Sequence, residues 1–200
     1  MLAEGLPAPL IEHAGLAAGM PVGPLAVQDE TSLALSMHVM TQTRKDLAAA
    51  GIVHEPSTAE RLVERMVSEF KRPGRAGGGG FYDYPPGQSK RLWPGLKSNF
   101  EKPGAHAELA DLVQRLLYRQ AIETARCLAE GVLSSTHDAN IGSIFGIGFP
   151  AWTGGALQFV YGQGIEAFEA RCAALAAAHG QGFALDEAGK AAIRRFQPRW

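Results

Sequence analysis

Cysteine is scarce in this sequence: Cys127 and Cys172 are the only two in 200 residues. Two thiols cannot build a disulfide framework or a four-ligand zinc site, and they read as buried thiols of a reducing compartment. No apolar run approaches the ~20 residues of a membrane span. Residues 1–20 have neither the basic start nor the hydrophobic core of a secretion signal. Charge of one sign is missing as well. The 19 lysines and arginines against 20 aspartates and glutamates leave −1, without the basic excess of a nucleic-acid binder. The six histidines, His13, His38, His54, His106, His137 and His179, include no i, i+4 pair of metal-ligand type. The expectation is a cytoplasmic chain with no metal, no nucleic acid and no membrane among its partners.

Motifs of catalysis and phosphate binding are absent too. The closest approaches to a dinucleotide fingerprint are Gly77-Gly78-Gly79-Gly80 and Gly146-Ile147-Gly148. Neither has the G-x-G-x-x-G spacing or a preceding strand, and there is no P-loop and no G-x-S-x-G elbow.

What the sequence does hold is helix. Apolar residues make up 46% and charged residues 20%, enough for a sizeable core. Residues 8–18 read as a short helix with Pro9 in its first turn and Gly19 as its cap. Residues 31–50 form a second, stopped by Gly51. Ser57 and Glu60 make a capping box before the stripe Leu62, Val63, Met66, Val67 and Phe70. Residues 105–130 give the longest helix, and shorter ones follow Ser135, span 164–179 and follow Asp186. Only Gly80–Tyr84 reads as extended. Residues 71–104 carry Pro73, Pro85-Pro86, Pro94, Pro103 and the four glycines, with seven lysines and arginines against Asp83 and Glu101. This stretch reads as a linker, either a solvated connector or a phosphate-contacting segment. Phe81 within it is expected to be less buried than Phe149.

The chain also repeats itself. Leu2-Ala3-Glu4-Gly5 recurs as Leu128-Ala129-Glu130-Gly131, Gly19-Met20-Pro21 as Gly148-Phe149-Pro150, and Gly23-Pro24 is matched by Gly154-Gly155. Each copy reads as the end of a long helix, a turn, a short helix, a Gly-x-Pro loop and another helix. In the first copy the long helix is cut, so Met1 is expected to stand at a truncation boundary. The glycines suit left-handed caps and the prolines stiffen the turn. Such a loop is able to present backbone to a ligand or to pack two halves together.

At Glu4-Gly5, Gly19-Met20-Pro21-Val22-Gly23-Pro24, Gly79-Gly80-Phe81-Tyr82-Asp83-Tyr84 and Gly146-Ile147-Gly148-Phe149-Pro150 with Gly154-Gly155, the chain resembles the C-terminal domain of 3-hydroxyacyl-CoA dehydrogenases. The tandem copies resemble the C-terminal portion of the bacterial multifunctional fatty-acid oxidation α subunit. The resemblance implies an all-α fold of two tandem subdomains of the 6-phosphogluconate dehydrogenase C-terminal-like type, related by a pseudo-two-fold axis. Its expected boundaries are a first copy over 1–85, a basic linker over 86–104 and a second copy over 105–200. It implies an oxidoreductase of β-oxidation that uses NAD when complete, with the dinucleotide site and catalytic groups outside this chain. No catalytic, cofactor-binding or metal residue is therefore assigned here, and no cofactor is expected on the chain alone. Gly19, Met20, Pro21, Val22, Gly23 and Pro24 are assigned as substrate-binding, one wall of an acyl-CoA cleft completed by the missing dinucleotide-binding domain. The isolated chain is expected to be inactive and monomeric, a pseudo-dimer in one polypeptide. A non-catalytic assembly module without ligand is the rival reading. Two departures stand out: the family's usual aspartate before the Gly-x-Pro loop is Glu12 in one copy and Asn140 in the other, which lessens a charge-based role. The basic residue often found before G-x-G-F-Y is replaced within Ala76-Gly77-Gly78.

Overall fold

The computed structural model describes Met1–Pro198. Its residues fall into two compact units. One comprises Met1–His13 and Val22–Ala107, and the other comprises Ala14–Pro21 and the chain from Glu108 onward. This division takes the linker residues 86–104 into the first unit and the first Gly-x-Pro loop, as far as Pro21, into the second. The fold is all-α: ten helices and a single two-stranded hairpin among the described residues.

In the first unit, α1 (Ala8–Ala18) contributes its opening turns. Next come α2 (Pro24–Thr31), α3 (Leu33–Ala49) and α4 (Thr58–Glu64), the last continuing in a π-type turn over Arg65–Glu69. The capping box is formed: Glu60 N–H donates to Ser57 Oγ at 3.2 Å and Ser57 N–H to Glu60 Oε2 at 2.8 Å. The expected start of α3 at residue 31 moves to Leu33, because Ser32 sits at φ 75° and breaks the chain there. Its hydroxyl accepts from Leu35 N–H and donates to Pro73 O.

The stretch read as a linker is built into the unit. β1 (Tyr82–Asp83) pairs antiparallel with β2 (Arg91–Leu92), Tyr82 opposite Leu92 and Asp83 opposite Arg91. α5 (Gly95–Phe100) buries Leu96 and Phe100. Phe70 packs its ring 5.1 Å from Trp93 and 5.9 Å from Phe100. Phe81 is 3% exposed against 1% for Phe149, so the expected difference in burial is absent. Proline and glycine content misled here: they shape the turns of a packed segment rather than an open connector.

The second unit is organised on α6 (Leu109–Ala129), whose amphipathic stripe buries Leu112, Leu117, Ala121, Ile122, Ala125 and Leu128. Around it stand α7 (Thr136–Ile147), α8 (Ala156–Gln163), α9 (Ile165–His179) and α10 (Glu187–Arg195). Ser135 and Asp186 cap α7 and α10 through their side chains, as their sequence positions predict. Tyr118 stacks on Phe168 at 4.9 Å and meets Phe159 edge-on at 5.4 Å. Phe149 joins the same core. Cys172 is buried there and Cys127 is half-buried; both are free thiols.

Candidate functional site

Glu12 stands on α1 and is 9% exposed. Oε1 accepts from the backbone N–H groups of Leu25 at 2.5 Å and Ala26 at 3.3 Å, the first turn of α2. Oε2 accepts from the Tyr82 hydroxyl at 2.9 Å. The first turn of any helix leaves N–H groups without intrahelical partners and carries a partial positive charge, so a buried carboxylate fits there. Gly23, the residue before α2, is glycine for a spatial reason: a Cβ would overlap the Glu12 carboxylate.

Asp29, near the end of α2, is 1% exposed. It accepts from Phe81 N–H at 2.7 Å, Tyr82 N–H at 2.8 Å and the Tyr84 hydroxyl at 3.0 Å. Burial raises its pKa against the lowering pull of these hydrogen bonds and of Arg72. Burial also holds Tyr82 and Tyr84 well above the usual phenol range, reinforced by Glu12 at Tyr82 and by Asp29 at Tyr84. Both tyrosines are therefore neutral donors, fixed by carboxylates. Arg72 closes the cluster, donating to Gly80 O, Tyr82 O and Asp83 Oδ1. The G-F-Y-D-Y run is thus tied to α1 and α2 by side chains more than 50 positions away.

The second unit repeats the device with different chemistry. Asn140 Oδ1 accepts from Leu157 N–H at 3.0 Å and Gln158 N–H at 2.9 Å, the first turn of α8. Asn140 therefore occupies the place of Glu12. Gly155, whose Cβ would stand 2.5 Å from Asn140 Cα, occupies the place of Gly23. The repeat aligns Gly23 with Gly155, one residue beyond the sequence match. An amide replaces a carboxylate because the task is to accept backbone N–H groups, which needs an oxygen and not a charge.

The six residues assigned to substrate binding divide between the two units. In the second unit Gly19, at φ 94°, faces Trp152, whose indole N–H donates to Ala18 O at 3.2 Å. Gly148 faces Pro21. Met20 packs on the core of that unit. In the first unit Val22 is exposed, Gly23 is buried and Pro24 opens α2. Glu12, Asp29, Tyr82 and Tyr84 form a polar cluster that the sequence did not mark as a unit; the resemblance drew attention to Glu12 and to the Tyr82-Asp83-Tyr84 run, and not to Asp29.

A cleft of about 520 Å³ lies in the second unit between α6 and α7, lined by Cys127, Val132, Leu133, Ala139 and Ile147 among others. Its polar lining is already engaged: the Thr124 hydroxyl donates to Gln120 O at 3.0 Å. The Ser143 hydroxyl donates to Asn140 O and accepts from Ala156 N–H. Of its charged lining residues, Glu123 meets Arg126 at 2.8 Å and Asp138 accepts from the Ser135 hydroxyl at 2.7 Å.

A dinucleotide needs a glycine-rich turn between a strand and the N-terminus of a helix. The described residues do not make one: β1 runs into the hairpin loop, and β2 leads to the six-residue α5. They also contain no group of three or more His, Cys, Asp or Glu able to hold a metal. No described helix is long and apolar enough to cross a membrane.

Comparison with known proteins fits this geometry. Residues 1–84 match the family model for the 3-hydroxyacyl-CoA dehydrogenase C-terminal domain. The chain is 30% identical over 169 residues to the fatty acid oxidation complex subunit alpha of Shewanella sp. strain MR-4. It is 31% identical over 167 residues to that of Shewanella loihica strain PV-4. Each alignment covers 80% of this chain and 22% of the relative, so the chain spans about a fifth of the length of these relatives. In fold it is similar to the dehydrogenase part of multifunctional enzyme 1 from C. elegans. The TM-score is 0.58 at 18% identity, covering 94% of this chain and 42% of the other.

Proposed function

We propose that this chain, whose residues 1–84 match the family model for the 3-hydroxyacyl-CoA dehydrogenase C-terminal domain, serves as the C-terminal portion of an NAD-dependent 3-hydroxyacyl-CoA dehydrogenase of fatty-acid β-oxidation. Its contribution is binding surface and assembly. Hydride and proton transfer belong to a dinucleotide-binding domain that completes the cleft; the described residues form no strand, glycine turn and helix of the kind that cradles a dinucleotide.

The observation that supports this reading most is the anchoring of the Gly-x-Pro segment. Glu12 fixes the start of α2, so Gly23 and Pro24 are held while Pro21 and Val22 remain exposed. An exposed Val22 ahead of a held helix start is suited to one wall of an acyl-CoA cleft, and Gly19, Met20, Pro21, Val22, Gly23 and Pro24 remain the residues proposed for that wall. One observation favours the rival, a ligand-free assembly module: the Trp152 indole on Ala18 O occupies the near side of Gly19.

Calorimetric titration decides between them. The 200-residue chain is expected to show weak acetoacetyl-CoA binding, no NAD binding and no NADH formation by itself. NADH formation is expected when it is added to a relative's α subunit shortened of its C-terminal domains. Acetoacetyl-CoA binding lost in Val22→Asp supports the wall; no binding in either protein supports the assembly module. Turnover by the chain alone overturns the proposal.

A further inference from the structure

A cleft of about 400 Å³ in the first unit is lined by Glu30, Arg75, Tyr84, Pro85, Gln88 and Lys90. It lies between the end of α2 and the loop joining β1 to β2, away from the Gly-x-Pro segment in sequence and chemistry. Tyr82, in β1, and Tyr84, just beyond it, hold their ring centroids 6.4 Å apart, and each ring carries a cation. The Lys90 ammonium stands 5.0 Å from the Tyr82 centroid and the Arg75 guanidinium 5.6 Å from that of Tyr84. The rings are fixed from beneath, because their hydroxyls donate to Glu12 and Asp29. Cation–π seating of this kind orients a charge without neutralising it.

The charge balance of the cleft is positive. Glu30 is the one carboxylate in its lining, and both of its oxygens meet a single nitrogen, Arg75 Nη1, at 2.6 and 2.9 Å. Arg75 therefore keeps Nε and Nη2 for another acceptor. Lys90 meets no carboxylate among the described residues. Asp83, between the two tyrosines in sequence, is occupied by Arg72 at 2.6 Å and Arg91 at 3.5 Å, so it does not compensate Lys90. Two cations with open donors, a rigid aromatic floor and a Gln88 amide make an anion-accepting surface.

We propose that this cleft binds a small molecule with a terminal phosphate, taken by Arg75 and Lys90; NAD, whose pyrophosphate is esterified at both ends, is not such a ligand. The proposal goes beyond the dehydrogenase reading and does not depend on it. It gives the basic stretch of residues 71–104 a specific task, confined to two of its seven cations.

The test is nitrogen-edited NMR of the full chain titrated with inorganic pyrophosphate, with adenosine 5′-diphosphate and with adenosine. Saturable shifts are expected at Gly77–Gly79 and Gly87–Lys90 with both phosphates and not with adenosine. Lys90→Ala is expected to weaken binding about tenfold, the scale of losing one charge-assisted hydrogen bond. Glu30→Gln is expected to tighten it, because the amide removes the competing charge while Arg75 stays. Both side chains are exposed and both variants are expected to melt with the parent protein. Opposite signs in the two variants support the site. Absence of saturable shifts, equal affinity in Lys90→Ala, or weaker binding in Glu30→Gln overturns it, as does equal binding of adenosine.

Discussion

The Tyr82 hydroxyl donates to Glu12 Oε2 at 2.9 Å across 70 positions of sequence, while the other oxygen of the same carboxylate caps α2. One side chain thus fixes the G-F-Y-D-Y run and the exit of the Gly-x-Pro loop together. Glu12→Ala is expected to cost about 3 kcal/mol, from a lost cap and a buried hydroxyl left without its acceptor. Glu12→Gln is expected to cost less than half of that, since an amide oxygen still accepts from Leu25 and Ala26. Asn140→Ala, which removes a cap alone, is expected near 1 kcal/mol. Urea unfolding of the three variants orders them.

Phe81 and Phe149 are equally buried, at 3% and 1% exposure. Truncation of either to alanine is expected to cost about 3–5 kcal/mol, transfer loss and cavity combined. Thermal melts of the pair test this. A Phe81→Ala variant as stable as the parent would show that the hairpin packs loosely, as its composition had suggested.

Much of the helical frame was legible because its signals are local. Ser57, Ser135 and Asp186 each accept from a backbone N–H three residues on, a geometry set within one turn. The hairpin was not legible, because what organises it is Asp29, and α5 was not because Phe100 is held by Phe70 and Arg65, about 30 positions away. An aspartate in Val27-Gln28-Asp29-Glu30 reads as a solvated helix position, and nothing nearby marks it as the acceptor for Phe81, Tyr82 and Tyr84. Ser32 hid the break before α3 for a related reason: a left-handed serine carries no sequence signature. The exchange of Glu12 for Asn140 looked like a weakened charge. In the structure it is the same cap made with a different oxygen.

Glu60 is pulled from its ordinary 4.5 to about 2, first by the Ser57 backbone N–H and then by His54, whose Nε2 lies 2.9 Å from Oε1. A carboxylate whose folded pKa is depressed adds stability that is complete above the unfolded value and fades as pH falls through the folded one. Glu60→Gln is therefore expected to lower stability by about 1 kcal/mol at pH 7, the scale of a capping interaction. The gap between variant and parent narrows below pH 4.5 and closes only below pH 2. Urea titrations across that range check the sign. A gap that widens on acidification would contradict the assignment.

The glycines beside the two caps are expected to respond differently to alanine. Gly23 has ordinary extended backbone, φ −65° and ψ 151°, so the added methyl strains nothing by itself. Its cost comes wholly from displacing the Glu12 carboxylate. Gly23→Ala and Glu12→Ala therefore break the same interaction, and the double variant is expected to be no less stable than the worse single one. That is a coupling of about 1 kcal/mol or more in a double-mutant cycle. Gly155 sits at φ 109°, and its methyl would meet Asn140 backbone as well as side chain. Neither the strain nor the clash with Asn140 Cα is relieved by shortening Asn140. Gly155→Ala and Asn140→Ala are expected to add, with Gly155→Ala the larger loss at about 2–3 kcal/mol. Urea unfolding of the two cycles separates the cases. Additive losses at Gly23 and Glu12 would mean that the carboxylate finds another route to Leu25 and Ala26, and that it does not set the position of the Gly-x-Pro exit.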